Sequence, residues 1–131
     1  MHESLEKVGE GKIEKSKHIY DLEERTFQFV KRARIVVKSL PKSIANIEDS
    51  KQLVRSSGSV GPNYIEANES LGKKDFLMRL KISLKECKES GFWLKLINET
   101  NHLENQQEID FLLNETIEFK KIFSTIIIKS S

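Results

Sequence analysis

The sequence predicts an all-α fold, one domain of four helices in 131 residues. Three observations lead there. Apolar residues recur at steps of three and four through long stretches of the chain. No segment alternates apolar and polar residues between hairpin turns, and no internal repeat or low-complexity tract interrupts the pattern. At 37% hydrophobic residues, a chain of this length can bury one core.

The elements follow in order. Residues 1–18, "MHESLEKVGEGKIEKSKH", mix both charge signs with two glycines and scattered aliphatics. Such a composition cannot offset the entropy of ordering, so a mobile N-terminal arm is expected, with the helical domain spanning 19–129. In "DLEERTFQFVKRARIVVKSL", Leu22, Phe29, Val30, Ala33, Val37 and Leu40 share one helical face, with Asp21 as the expected N-cap and Pro41 just past the end. Helix 3 is expected in "KKDFLMRLKISLKECKESGFWLKLI", seamed by Phe76, Leu77, Leu80, Leu84, Cys87, Gly91 and Leu94. Helix 4 is expected in "EIDFLLNETIEFKKIFSTIII", seamed by Ile109, Leu112, Leu113, Thr116, Phe123 and Ile127.

Helix 2 needs more argument, because "RSSGSVGPNYIEA", Arg55 to Ala67, has the composition of a loop. Leu53, Ser57, Val60, Tyr64, Ala67 and Leu71 nevertheless step by four and three, as do the polar residues Gln52, Ser56, Ser59, Asn63, Glu66 and Ser70. Pro62 opposes a helix at roughly 3 kcal/mol, since it lacks a donor and meets the carbonyl four residues earlier. That earlier residue is Gly58, and serines surround it, so a kinked but continuous helix is predicted, with a tight loop as the alternative. A phosphate-binding loop would need a Gly-Lys-Ser or Gly-Lys-Thr closure after a strand, and this stretch has neither. Its small residues are read as letting helices approach closely.

Catalytic and metal chemistry find little footing. Glu99 and His102 form one Glu-x-x-His pair, where a di-iron bundle needs two, and the remaining histidines are His2 and His18. The lone Cys87 lies on an apolar seam and reads as a small buried hydrophobe. No enzyme, metal, cofactor or small-molecule substrate is therefore expected. With no leader, no long apolar run and no cysteine pair, the expected location is the cytoplasm, away from membranes.

Charge points to partners. Lys and Arg number 22 against 20 acids, a balance that permits nucleic acid without demanding it. Lys31, Arg32, Arg34 and Lys38 cluster on helix 1, and Lys73, Lys74, Arg79, Lys81, Lys85 and Lys88 line helix 3. These ten are the candidate phosphate contacts, with no aromatic stacking platform expected among them. Opposite the seam of helix 3, Ile82, Glu86, Glu89, Trp93 and Leu96 put two acids among large apolar side chains. Acids buried there need cations, and Arg55 with the polar residues Gln52, Ser59, Asn63 and Glu66 of helix 2 is the expected supply; the alternative is an exposed acidic face with a stray Trp93. Phe27, Ile35, Met78 and Phe92 lie off the seams, an apolar surplus that self-association would cover.

The run Lys51 to Ile97 carries a resemblance. Gln52, Arg55, Ser56, Ser59, Val60, Gly61, Asn63, Tyr64, Glu66 and Ala67, then Phe76, Lys85, Glu86, Glu89, Ser90, Trp93 and Leu94, fit the signature of the four-helix bundle proteins encoded by intervening sequences of bacterial 23S ribosomal RNA genes. Pro62 departs from it where alanine is commoner, and Gly72 where a serine often caps helix 3. The resemblance implies an up-down-up-down antiparallel bundle assembling into a homopentameric ring without enzymatic activity. Related accessory proteins of diversity-generating retroelements bind nucleic acid, which implies an RNA- or DNA-binding adaptor with basic rims. The alternative is a structural oligomer whose partners are proteins alone.

Overall fold

A computed structural model describes the backbone from residue 10 to residue 131 and the side chains from residue 21 onward. Four helices fill it: α1 (Glu10–Ser39), α2 (Ile44–Asn68), α3 (Lys73–Thr100) and α4 (Gln106–Ser130). Helix α1 starts earlier than the sequence reading allows. Residues 10–18 of the expected arm are helical, residues 1–9 lie outside the described part, and Asp21 sits inside the helix rather than capping it. There it faces Arg25 one turn on, at 3.7 Å. None of the described helices is long and apolar enough to cross a membrane.

The loops are short and each helix boundary has a local cause. Ser43 accepts the Asn46 amide at 3.1 Å to start α2 just after Pro41, and Asn105 accepts the Glu108 amide at 3.3 Å to start α4. Gly72 caps α3 in extended conformation with no side-chain bond, as expected for a residue without a side-chain oxygen. Each helix packs on its sequence neighbour, and α1 closes on α4, leaving α1 and α3 diagonal. Pairing across the interfaces runs in reverse order, so neighbours are antiparallel. Along α1 and α4, Arg25 meets Glu115 while Arg32 meets Glu108. Along α2 and α3, Asn46 meets Asn101 while Asn63 meets Arg79. The result is an up-down-up-down four-helix bundle.

Helix α2 runs unbroken through Pro62, which is exposed. The ring points to solvent, and polar side chains beside it bond back to the helix: Ser59 Oγ donates to Arg55 O at 3.2 Å, and Asn63 Nδ2 to Ser59 O at 2.9 Å. The predicted seam of α2 is buried from Leu53 to Ala67, but Leu71 is fully exposed because the helix ends at Asn68. Gly61 meets α1 so closely that a Cβ there would lie 2.7 Å from Thr26 Oγ1. Its lack of a side chain sets the α1–α2 distance. Gly91 does the same more gently at α3–α4, 3.3 Å from Thr116 Oγ1.

Aromatic rings fill the centre. Phe29 of α1 packs edge-on against Phe119 of α4 at 5.5 Å, and Phe123 bridges Phe119 to Tyr64 of α2. Around them α3 contributes Leu80, Cys87, Leu94 and Ile97. Polar residues enter the interior too, chiefly Thr26, Ser56, Ser57, Ser83, Ser90, Glu115 and Thr116.

Candidate functional site

The residues singled out by sequence lie at the α2–α3 seam and on the outward faces of α1 and α3. At the seam, polar groups run the length of the contact. Asn46 and Asn101 exchange amide bonds at 2.8 and 3.0 Å. Ser90 Oγ lies 2.9 Å from Ser56 Oγ, and Ser83 Oγ donates to Val60 O at 2.9 Å. Small hydroxyl side chains satisfy one another here and let the two helices approach.

Beside them the expected cluster forms. Arg55 donates from Nη1 to Glu86 Oε1 at 3.2 Å and from Nη2 to Glu89 Oε2, which also accepts Trp93 Nε1 at 3.2 Å. The Arg55 guanidinium, and then the Trp93 indole, hold Glu89 below the usual carboxylate range. The cluster is more open than the expectation of buried acids: the side chain of Arg55 is 49% exposed, although Glu86 is only 12% exposed. Of the remaining predicted members, Gln52, Ser59 and Asn63 are half-buried and Glu66 is exposed. Asn63 Oδ1 accepts from Arg79 at 3.2 Å, with Glu66 3.9 Å from the same guanidinium. Ser59 bonds only its own helix.

The ten basic candidates separate into two kinds. Arg79 turns inward to α2, as just described. Arg32 turns toward α4, where it makes a two-pronged contact with Glu108 and lies 3.6 Å from the centroid of the Phe111 ring. Its guanidinium pulls Glu108 below the usual carboxylate range. Both arginines are bundle cross-links, which spacing on a single helix could not reveal. Lys31, Arg34 and Lys38 are exposed on α1; Lys73, Lys74, Lys81, Lys85 and Lys88 are exposed on α3. The diagonal placement of α1 and α3 keeps these two sets apart in the bundle.

Sequence reasoning missed a second cross-link, Arg25 with Glu115. Arg25 donates from Nε at 3.3 Å and from Nη2 at 2.6 Å, and it sits 5.3 Å from the Phe119 ring centroid. Glu115 is buried on α4, one residue before Thr116 of the predicted seam. The available signal was an acid interrupting an apolar face, which implies a cation opposite. Cys87 is buried against the Thr116 carbonyl at 3.4 Å, and desolvation pushes its thiol up to about 12. His102 lies exposed in the α3–α4 loop, and among the described residues no three His, Cys, Asp or Glu side chains converge as a metal cage would require.

The sequence also compares with known proteins. The pattern of the 23S rRNA-intervening sequence protein family matches residues 20–125. A crystal structure of a protein of unknown function from the S23 ribosomal protein family, from Bacteroides thetaiotaomicron VPI-5482, superposes with a TM-score of 0.68 at 27% identity. The alignment covers 81% of this chain and 97% of that one. No curated protein matches the sequence. The matched span takes in most of α1, all of α2 and α3, and α4 to Thr125, so the chain belongs to the 23S rRNA-intervening sequence protein family.

Proposed function

We propose that this protein is a non-enzymatic, ring-forming adaptor that binds nucleic acid through lysines on its outer helix faces. One observation carries the reading. Arginines 25, 32, 55 and 79 are committed to acids on neighbouring helices, whereas the exposed lysines of α3 have no carboxylate within ion-pair distance among the described residues. Arginine suits fixed, two-pronged pairing, and lysine acts as a hydrated point charge. A row of unneutralised lysines attracts a polyanion, and its contacts go to phosphates irrespective of base sequence. Self-association into a homopentamer is part of the proposal. Phe27, Ile35 and Ile44 stay exposed on α1 and α2, and a partner subunit would cover them.

Filter binding of a structured RNA at two salt concentrations tests the reading. Affinity is expected to fall steeply with salt, each engaged phosphate adding roughly 0.7 to 0.9 to the log–log slope. A protein that is intact and oligomeric yet retains no RNA or duplex DNA at low salt would leave the second reading, a structural oligomer with protein partners, which the same exposed apolar side chains favour.

A further inference from the structure

The outward face of α3 is unlike any other exposed helix surface in the described bundle. Between Met78 and Lys95 every exposed position on α3 is lysine, methionine or phenylalanine. These positions continue the steps of four and three from Lys74: Met78, Lys81, Lys85, Lys88, Phe92 and Lys95. They lie opposite the buried row Leu80, Ser83, Cys87, Ser90 and Leu94, so they form the crest of the helix. Glu86 and Glu89, on the flank of this stretch, are drawn to the α2 side by Arg55, and the exposed acids Asp75 and Glu99 stand only at its two ends. By contrast, the exposed positions of α1 mix Asp21 and Glu24 with Lys31, Arg34 and Lys38.

From Lys74 to Lys95 the crest is about 32 Å long at 1.5 Å per residue. Near its C-terminal end an aromatic ring stands among the charges. Phe92 is 60% exposed, and with Lys88, Lys95 and Lys120 of α4 it lines a shallow groove of about 300 Å³ between α3 and α4. Its ring is braced edge-to-face against Trp93 at 4.9 Å. A braced, solvent-facing ring between cations can receive an unpaired base, whose faces a duplex would keep stacked. Charge clustering alone predicts no such platform: Lys95 and Lys120 lie outside the ten basic candidates, and by sequence Phe92 counts with the apolar surplus.

We propose that the α3 crest is a track for single-stranded nucleic acid, in which the lysines hold successive phosphates and Phe92 stacks one base. This rests on the nucleic-acid reading above and narrows it to one face and one strand state. The lysines occupy the summit and the two apolar residues stand singly about 21 Å apart, an arrangement suited to a phosphate chain. A bilayer would call for a continuous apolar stripe at the summit.

The test uses the full chain, fluorescein-labelled U20, and a 20-base-pair duplex in fluorescence anisotropy across a salt series. Lys81→Gln, Lys88→Gln and Lys95→Gln together are expected to lower the single-strand salt slope by about 2, at roughly 0.7 per phosphate contact. The control set Lys31→Gln, Arg34→Gln and Lys38→Gln is expected to leave that slope in place. Phe92→Ala is expected to weaken U20 about tenfold, at an unchanged slope and with little effect on the duplex. Quenching of Trp93 fluorescence by unlabelled U20 would report contact at the same spot. Circular dichroism and light scattering establish that each variant keeps its fold and mass. The inference is overturned if U20 binds but only the α1 set matters, if duplex binds as well as U20 and Phe92→Ala is silent, or if Phe92→Ala changes the oligomer mass. It is also overturned if the α3 triple variant loses binding to phosphatidylglycerol vesicles while keeping U20. Failure of the native protein to bind either nucleic acid would instead bring down the parent reading.

Discussion

Gly61 and Gly58 lie one turn apart on α2 and make opposite demands. A methyl at Gly61 would strike Thr26, whose Oγ1 is already bonded to Glu23 O at 3.0 Å and whose branched side chain has little freedom to move. At Gly58 the same methyl meets Arg34 and Val30 at ordinary contact distances of 3.7 and 3.8 Å. Gly61→Ala is therefore expected to destabilise by about 1 to 3 kcal/mol, and Gly58→Ala to stabilise by up to about 1 kcal/mol through helix propensity. Urea titration of the two variants checks both signs. Cys87 yields a second expectation. Since the thiolate is the reactive form and burial holds the thiol near 12, a disulfide reagent at neutral pH is expected to label it only after denaturant unfolds the bundle. Labelling of the native protein at the rate of a free thiol would contradict its burial.

Ion pairs between helices differ in worth according to their exposure. The Glu115 side chain is 9% exposed and Arg25 is 29% exposed, so Arg25→Ala strands a buried carboxylate on α4. The loss is expected to be about 2 to 3 kcal/mol, less than the roughly 3 to 5 of a fully buried pair because solvent reaches the guanidinium. Arg55→Ala, on the half-exposed α2–α3 seam, is expected to cost about 1 kcal/mol or less in the isolated subunit. Chemical denaturation of both variants ranks them. Glu89 and Glu108 add a pH dependence whose sign follows from their lowered folded-state values. Their contribution is complete above the ordinary glutamate range, near pH 4.3, and disappears as pH falls through the lowered values. Denaturation midpoints measured from pH 7 down to pH 3 are expected to decline below about pH 4.5, and less so in a variant carrying Arg32→Ala and Arg55→Ala. The two inward-turned arginines of the charge clusters, Arg32 and Arg79, belong to this level of organisation: their role depends on which helix lies opposite.

Taken as a whole, the subunit leaves large apolar side chains in water while its own core is already filled. Ile35, Ile44 and Phe27 are all more than half exposed. A second set of subunits is expected to cover part of this surface, giving a solution mass near five times the 15.2 kDa chain by light scattering at micromolar concentration. A monomeric mass would remove the ring and leave any nucleic-acid contact to single bundles.

Four helices and most of their buried faces were legible in the linear order of residues, because a 3.6-residue period reports burial whatever the neighbour is. Even the composition of a loop around Pro62 yielded to that period, since a proline with its ring in solvent costs a helix less than breaking two packed faces would. The family resemblance in Lys51 to Ile97 was equally legible, being a property of residue order. The early start of α1 was not, because residues 10–18 have little apolar periodicity of their own. The exposed end at Leu71 was missed for the complementary reason: periodicity continues past the point where the backbone stops being helical. Beyond the single helix, pairing depends on contacts between residues distant in sequence. Charge clustering placed Arg32 and Arg79 with the lysines, yet the acids and amide that engage them belong to α4 and α2. Phe92 stands between Lys88 and Lys95 on α3 by spacing alone, but the groove beside it exists only because α4 sets Lys120 across from it. A sequence records what each side chain can do; which partner it meets is set by the packing of helices whose registers no local pattern encodes.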